Sequence, residues 1–247
     1  MRYFLIFLLF LSKIISQNID ERFFSANNYY NSSNYLESIE LYEKILDEGW
    51  ESSNLYYNLG NAYYRQGMIG QSIWSYNKAL SINPRNSDIK HNLEILNARI
   101  KDRIVLPDEF FLVKIYMEIK SRYNLKEWLF IGSIIIFISV ILFLLSKLYI
   151  FDNFILDRSL MVFIIISMII HVIILDRFLD ENDNRVGIII DNSVDAYSGP
   201  FYGDNTILFK INEGTKVKIA QAQNNWIEII LLNGNRAWVP LEKIREI

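Results

Sequence analysis

The chain has 247 residues, of which 51% are hydrophobic and 21% charged, with a formal net charge of −3. So apolar a composition points to a membrane component, and the absence of a basic excess argues against nucleic acid as a partner. With no cysteine and only two histidines, His91 and His171, disulfides, thiolate metal sites, a cysteine nucleophile and a lipidated cysteine are excluded, and no cofactor or metal is expected.

Residues 1–16 read as a signal peptide: Arg2 supplies a positive start, an uncharged apolar run follows from Tyr3 to Ser12, and Ser16 is the expected cleavage residue. That run spans only roughly 15 Å, too short to cross a bilayer. An uncleaved first helix is the alternative, since Lys13 interrupts the apolar stretch.

Residues 17–102 form a helical repeat unit. Self-comparison gives a period of 34 residues, pairing Asn27 with Asn61, Tyr30 with Tyr64, Ser38 with Ser72, Tyr42 with Tyr76 and Leu46 with Leu80. The second copy, with Leu59-Gly60, Ala62-Tyr63, Gly67, Tyr76, Ala79-Leu80 and Pro84, resembles the tetratricopeptide repeat. Gly60 and Ala62 allow two helices to approach, Gly67 turns the chain, and Pro84 closes the second helix. The first copy has Trp50 in place of the closing proline and Ser38 where the family carries alanine, which predicts looser packing. Ile89, Leu93, Leu96 and Ile100 then lay an apolar stripe on a capping helix. Such repeats bury their apolar faces only against neighbours, so a two-copy array needs this cap, and another chain is the further neighbour expected. The resemblance implies that the first helix of each pair lines a concave groove, which would present Asn27, Tyr30, Tyr57, Asn61, Tyr64 and Arg65 to an extended peptide. Asparagine amides would pair with its backbone and Arg65 with a carboxylate. A spacer surface is the alternative reading of these residues, and His91, beside them, lacks a second ligand.

A juxtamembrane segment, 103–127, mixes Phe110, Phe111, Ile115 and Ile119 with charges, which suits either an interfacial helix or a plain connector. Two uncharged apolar runs follow, 128–145 and 159–175, joined by a connecting loop, 146–158. They read as a transmembrane helical hairpin with Trp128 at the interface; a buried soluble helix pair is the alternative. His171, near the end of the second run, reaches interfacial water or relays protons. Lys114, Lys120, Arg122 and Lys126 would place the flanks inside by the positive-inside rule, whereas the export signal places both flanks outside. The export signal takes precedence here.

After a polar linker, 176–184, carrying Asp180, Glu181 and Asp183, residues 185–247 turn to short β-branched runs at 186–190, 207–211, 217–220, 226–232 and 237–239, a small all-β barrel. Asn212-Glu213-Gly214-Thr215, Asn224-Asn225 and Asn233-Gly234-Asn235 supply its turns. Glu213-Gly214-Thr215, Trp226 and Trp238-Val239-Pro240 resemble the bacterial SH3-like domain, although Ala237 stands where that family commonly has glycine. Tyr197, Tyr202, Trp226 and Trp238 are the aromatic residues suited to line a peptide or cell-wall groove.

The expected fold class is therefore a multidomain membrane protein: an all-α tetratricopeptide unit, a transmembrane hairpin and an SH3-like barrel. This order of parts resembles the BatE-like proteins of the Bacteroides aerotolerance group. The resemblance implies a non-catalytic multi-pass protein of the inner (cytoplasmic) membrane, with both soluble domains on the periplasmic side. The partners it implies are von Willebrand factor A-type membrane proteins and a MoxR-type ATPase. Membrane lipid is a further expected partner, and an envelope sensor or adhesion module holding peptidoglycan through the barrel is the alternative. No phosphate loop, nucleophile elbow or metal-ligand cluster suggests an enzyme.

Overall fold

The computed structural model describes residues 18–102, 110–147, 153–183 and 185–247. The signal-peptide reading of 1–16 lies outside these residues. The chain divides into two compact units, one made of residues up to 106 together with 186–247, the other of 107–185.

In the first unit, α1 (18–31) pairs with α2 (Tyr35–Asp47), α3 (Ser53–Arg65) with α4 (Ile69–Ile82), and α5 (Ser87–Asn97) follows as the cap. Each of the first three helices ends in the same way. Gly67 sits at φ +78°, its N–H donating to the Tyr64 carbonyl and that of Met68 to Tyr63, which satisfies the last carbonyls of α3. Gly49 does this for α2 at φ +83° and Ser33 for α1 at φ +65°. The packing is as periodic as the sequence. Ser38 Oγ donates to the Ala26 carbonyl at 2.9 Å and, 34 residues on, Ser72 Oγ to the Gly60 carbonyl at 2.7 Å, with both serines fully buried. Ser38 thus seats the first copy as closely as Ser72 seats the second. A Cβ on Gly60 would lie 2.7 Å from the Tyr76 ring, so that aromatic depends on glycine for its place between the helices.

The C-terminal strands are β1 (Val186–Ile189), β2 (Ser193–Tyr197), β3 (Ile207–Asn212), β4 (Lys216–Gln223), β5 (Trp226–Ile230), β6 (Arg236–Pro240) and β7 (Ile244–Glu246). They form one antiparallel sheet in the order β3-β2-β6-β5-β4-β1-β7. Ile211 of one edge strand and Ile244 of the other share a core with Ile189, Val194, Val217, Ile229 and Val239, so the sheet curls upon itself. Two of these strands, β2 and β7, carry no β-branched run and are not evident from composition.

The repeat unit and the β domain are one body rather than two heads. Ile188 of β1 belongs to the buried helical core, and Ile247 packs against it. Where another chain was the neighbour expected, the chain's own C-terminal residues pack against the repeats.

The second unit contains α6 (Phe111–Ser121), α7 (Leu125–Lys147) and α8 (Asn153–Asp183). Trp128 and Gly132, early in α7, meet Ile170, Ile173 and Ile174, late in α8, so the two helices run antiparallel as a hairpin. A Cβ on Gly132 would stand 3.0 Å from Ile174 Cδ1; the small residue sets the close approach. Both helices are long and apolar enough to cross a membrane. Helix extends beyond the apolar runs at both ends: α7 reaches Lys147, α8 starts at Asn153, and the stretch 176–183 is helical where a polar linker was expected. Its charges explain this. Arg177 and Glu181 form an i, i+4 ion pair at 3.6 Å, while Asp176 and Asp180 share the face that receives Lys120.

Candidate functional site

The concave side of the repeats is built from α1, α3 and α5 with Tyr76 of α4, which open a cleft of about 240 Å³ lined by Tyr30, Asn61, Tyr64, Arg65, Tyr76, Asn92, Ile95 and Leu96. Four of the six residues read as groove-forming line it; Asn27 and Tyr57 do not. The asparagines have work inside the wall. Asn27 Oδ1 accepts from the Tyr42 hydroxyl at 2.6 Å and the Asn58 amide at 2.8 Å. Asn61 Oδ1 accepts from the Tyr76 hydroxyl at 2.6 Å and the Asn92 amide at 3.4 Å, the same pattern displaced by one period. Tyr57 packs its ring 5.9 Å from that of Tyr76, and its hydroxyl accepts from Asn92 at 3.4 Å. Each asparagine thus ties one repeat to the next through its acceptor oxygen.

The cleft's charge is basic. Arg65 is exposed, its Nε donating to the Tyr35 hydroxyl at 3.1 Å with the guanidinium 5.4 Å from that ring. One period later Arg99 stands 5.6 Å from the Tyr64 ring. Burial raises the Tyr30 pKa against the pull of Arg65, while hydrogen bonding with Ser33 and Arg65 lowers that of Tyr35. Tyrosine rings beside two arginines suit an extended segment carrying a carboxylate.

The opposite, outer face of α4 is occupied by the β domain. The Arg245 guanidinium donates to Glu43 at 2.6 Å and to the Tyr63 hydroxyl at 3.2 Å, and lies 4.6 Å from the Trp74 ring. Trp74 Nε1 donates to the Glu246 carbonyl at 2.8 Å. At the start of α4 the N-cap residue Met68 makes no side-chain bond, and Glu213 supplies the missing acceptor, taking the Gly70 N–H at 2.9 Å. A Cβ on Gly70 would be 2.6 Å from the Ile189 carbonyl oxygen, so only glycine admits the β1 backbone here. Asp102 binds Asn212 N at 2.6 Å and Asn212 Nδ2 at 2.9 Å. None of these docking residues was evident as such from sequence. The available signal was a break in the repeat: where α2 has Leu36 and Glu40, α4 has Gly70 and Trp74.

On the β domain, Tyr197, Tyr202 and Trp226 form one cluster, with ring centroids 4.7 to 5.6 Å apart. Trp238 stands opposite Tyr197 and Glu228 in the strand register, on the face away from the Ala237 and Val239 core. The rings differ in availability: Tyr202 is 70% exposed, whereas Tyr197 and Trp226 are 9% exposed and largely packed.

His91 is exposed on α5, and His171 Nδ1 lies 2.7 Å from the Ser167 carbonyl, a local bond within α8. Among the described residues no group of His, Asp or Glu side chains is placed to hold a metal ion.

Comparison with known families agrees with this geometry over part of the chain. Residues 53–86, which comprise α3, α4 and the turn after them, match the family model described as tetratricopeptide repeat. Tetratricopeptide repeats are protein-interaction modules, generally without catalytic activity, and imply protein partners. No curated protein matches the chain.

Proposed function

We propose that this protein is a non-catalytic, membrane-anchored scaffold that gathers protein partners through its concave repeat cleft. The observation that carries this reading is the inner face of the repeats, where Tyr30, Tyr64 and Arg65 line an open cleft, while the β domain docks on the outer face of α4. A partner segment bound there would be extended and acidic. The hairpin would hold it at the membrane surface and raise its effective concentration.

The packing of residues 18–102 on 186–247 also supports a common side for both. Two segments in one compact body occupy one compartment, so the intervening helices enter and leave the bilayer through the same face. With the export reading of 1–16, that compartment is the periplasm, and the membrane the inner one. The order of parts supports a BatE-like role beside von Willebrand factor A-type membrane proteins and a MoxR-type ATPase.

A photo-crosslinking residue at Arg65 in native membranes tests the scaffold reading, with the same residue at Glu21, which does not line the cleft, as control. A discrete protein adduct at Arg65, absent from the control and lost on Tyr30→Ala and Tyr64→Ala substitution, is expected; equal adducts at both positions contradict the reading. A second reading rests on Tyr202, whose exposed ring lies 4.7 Å from Trp226 in the C-terminal β domain. Retention of the full chain on purified peptidoglycan, abolished by Tyr202→Ala, would favour the wall-binding alternative.

A further inference from the structure

Helix α6 packs against both helices of the hairpin, where their apolar runs give way to charge. Trp128 Nε1, in the first turn of α7, donates to the Lys120 carbonyl at 3.1 Å. The Lys120 ammonium, on a residue only 3% exposed, donates to Asp176 at 2.6 Å and to Asp180, and the Tyr116 hydroxyl donates to Asp176 as well. Burial alone would lower the Lys120 pKa; its hydrogen bonds to the two carboxylates outweigh burial and hold the group charged. The following turn is fixed by a reciprocal pair in which Glu127 N donates to Asn124 Oδ1 at 2.9 Å and Asn124 N to Glu127 Oε2 at 3.0 Å.

At roughly 100° per residue, Tyr116 and Lys120 share the face turned to the hairpin. Phe111, Leu112, Ile115 and Ile119 form a second stripe, 47% to 59% exposed. Val113 and Met117, 41% and 45% exposed, lie on the other flank of the hairpin-facing side, and Lys114, Glu118 and Ser121 make a narrow polar strip. An apolar stripe of this size on a soluble surface calls for an occupant. Here it adjoins the aromatic and charged collar of two helices long enough to cross a bilayer, so the adjacent apolar medium is the lipid that those helices themselves require.

We infer that α6 is an interfacial helix, with Phe111, Leu112, Ile115 and Ile119 seated in the headgroup and acyl boundary of the bilayer, and that Lys120 is the clamp fixing its rotation on the hairpin. The inference rests on the membrane-spanning reading of α7 and α8, and its test separates the two. The full chain, which has no native cysteine, is labelled with an environment-sensitive fluorophore at Ile115→Cys, Glu118→Cys or Ile136→Cys and reconstituted in phosphatidylethanolamine–phosphatidylglycerol vesicles. Quenching by lipids spin-labelled near the headgroup or near the chain end is then measured.

The expected result is strong shallow quenching at Ile115, deep quenching at Ile136 and little of either at Glu118. Lys120→Ala should at least halve the shallow quenching at Ile115 while leaving Ile136 unchanged, and Lys120→Arg should restore it. Deep quenching at Ile136 with Ile115 as solvent-exposed as Glu118 overturns the inference but keeps the spanning helices. A dry but unquenched Ile115 overturns it in favour of a protein occupant. Absence of quenching at Ile136 overturns the spanning reading itself.

Discussion

Ser33 holds φ +65° at the end of α1, the position where Gly67 and Gly49 end the next two helices. A side chain in the left-handed region costs on the order of 1 kcal/mol relative to glycine. Ser33→Gly is therefore expected to stabilise the repeat unit by about 0.5–1 kcal/mol, read as a rise in urea midpoint at unchanged slope. The buried tyrosines make an opposite, pH-dependent statement. Burial raises the pKa of Tyr42, Tyr63 and Tyr76, so above the ordinary tyrosine value of about 10 the unfolded chain loses phenolic protons that the folded one keeps. Stability is complete below that value and falls as pH rises through the raised ones. Denaturant midpoints should decline with increasing pH above about 10, and Tyr76→Phe should make the decline shallower. The same substitution removes the hydroxyl that Asn61 Oδ1 accepts, at an expected cost of about 1 kcal/mol at neutral pH.

At the scale of elements, the decisive contact is α4 against β1 and β7. Gly70→Ala forces a methyl group against the Ile189 carbonyl and should weaken docking by about 1–3 kcal/mol. Limited proteolysis would register this as new cleavage between the repeats and the β domain, without loss of helical circular dichroism. Legibility from sequence followed the length of each pattern. The 34-residue period, the two apolar runs and the glycine turns were plain, because each repeats a simple spacing or exceeds what a soluble helix carries. Strands β2 and β7 were not: Val194 and Ala196 offer small inward side chains, and Ile244 alone faces inward from a strand of three residues. The polar end of α8 was hidden for a different reason. Asp176 and Asp180 read as solvated charges until α6 brings Lys120 to them from about sixty positions away, a pairing that periodicity along one helix does not reveal. Four groove residues line one cleft, but the role of Asn27 and Asn61 as inter-repeat acceptors depends on Asn58 and Asn92, which only tertiary packing identifies.

At the scale of the whole molecule, an apolar hairpin separates in sequence two segments that pack into a single compact body. This gives the chain economy of design: the C-terminal domain covers the outer face of the repeats and fixes which face stays open, so the two modules cannot be displayed on opposite sides of a membrane while the body is intact. A cysteine-free chain allows this to be tested directly. Asn54→Cys, on an exposed turn of α3, and Asn235→Cys, exposed between β5 and β6, are introduced singly and treated with a membrane-impermeant maleimide in sealed spheroplasts, before and after lysis. Labelling of both positions before lysis is the expected result. Labelling of one before lysis and the other only afterwards would contradict it.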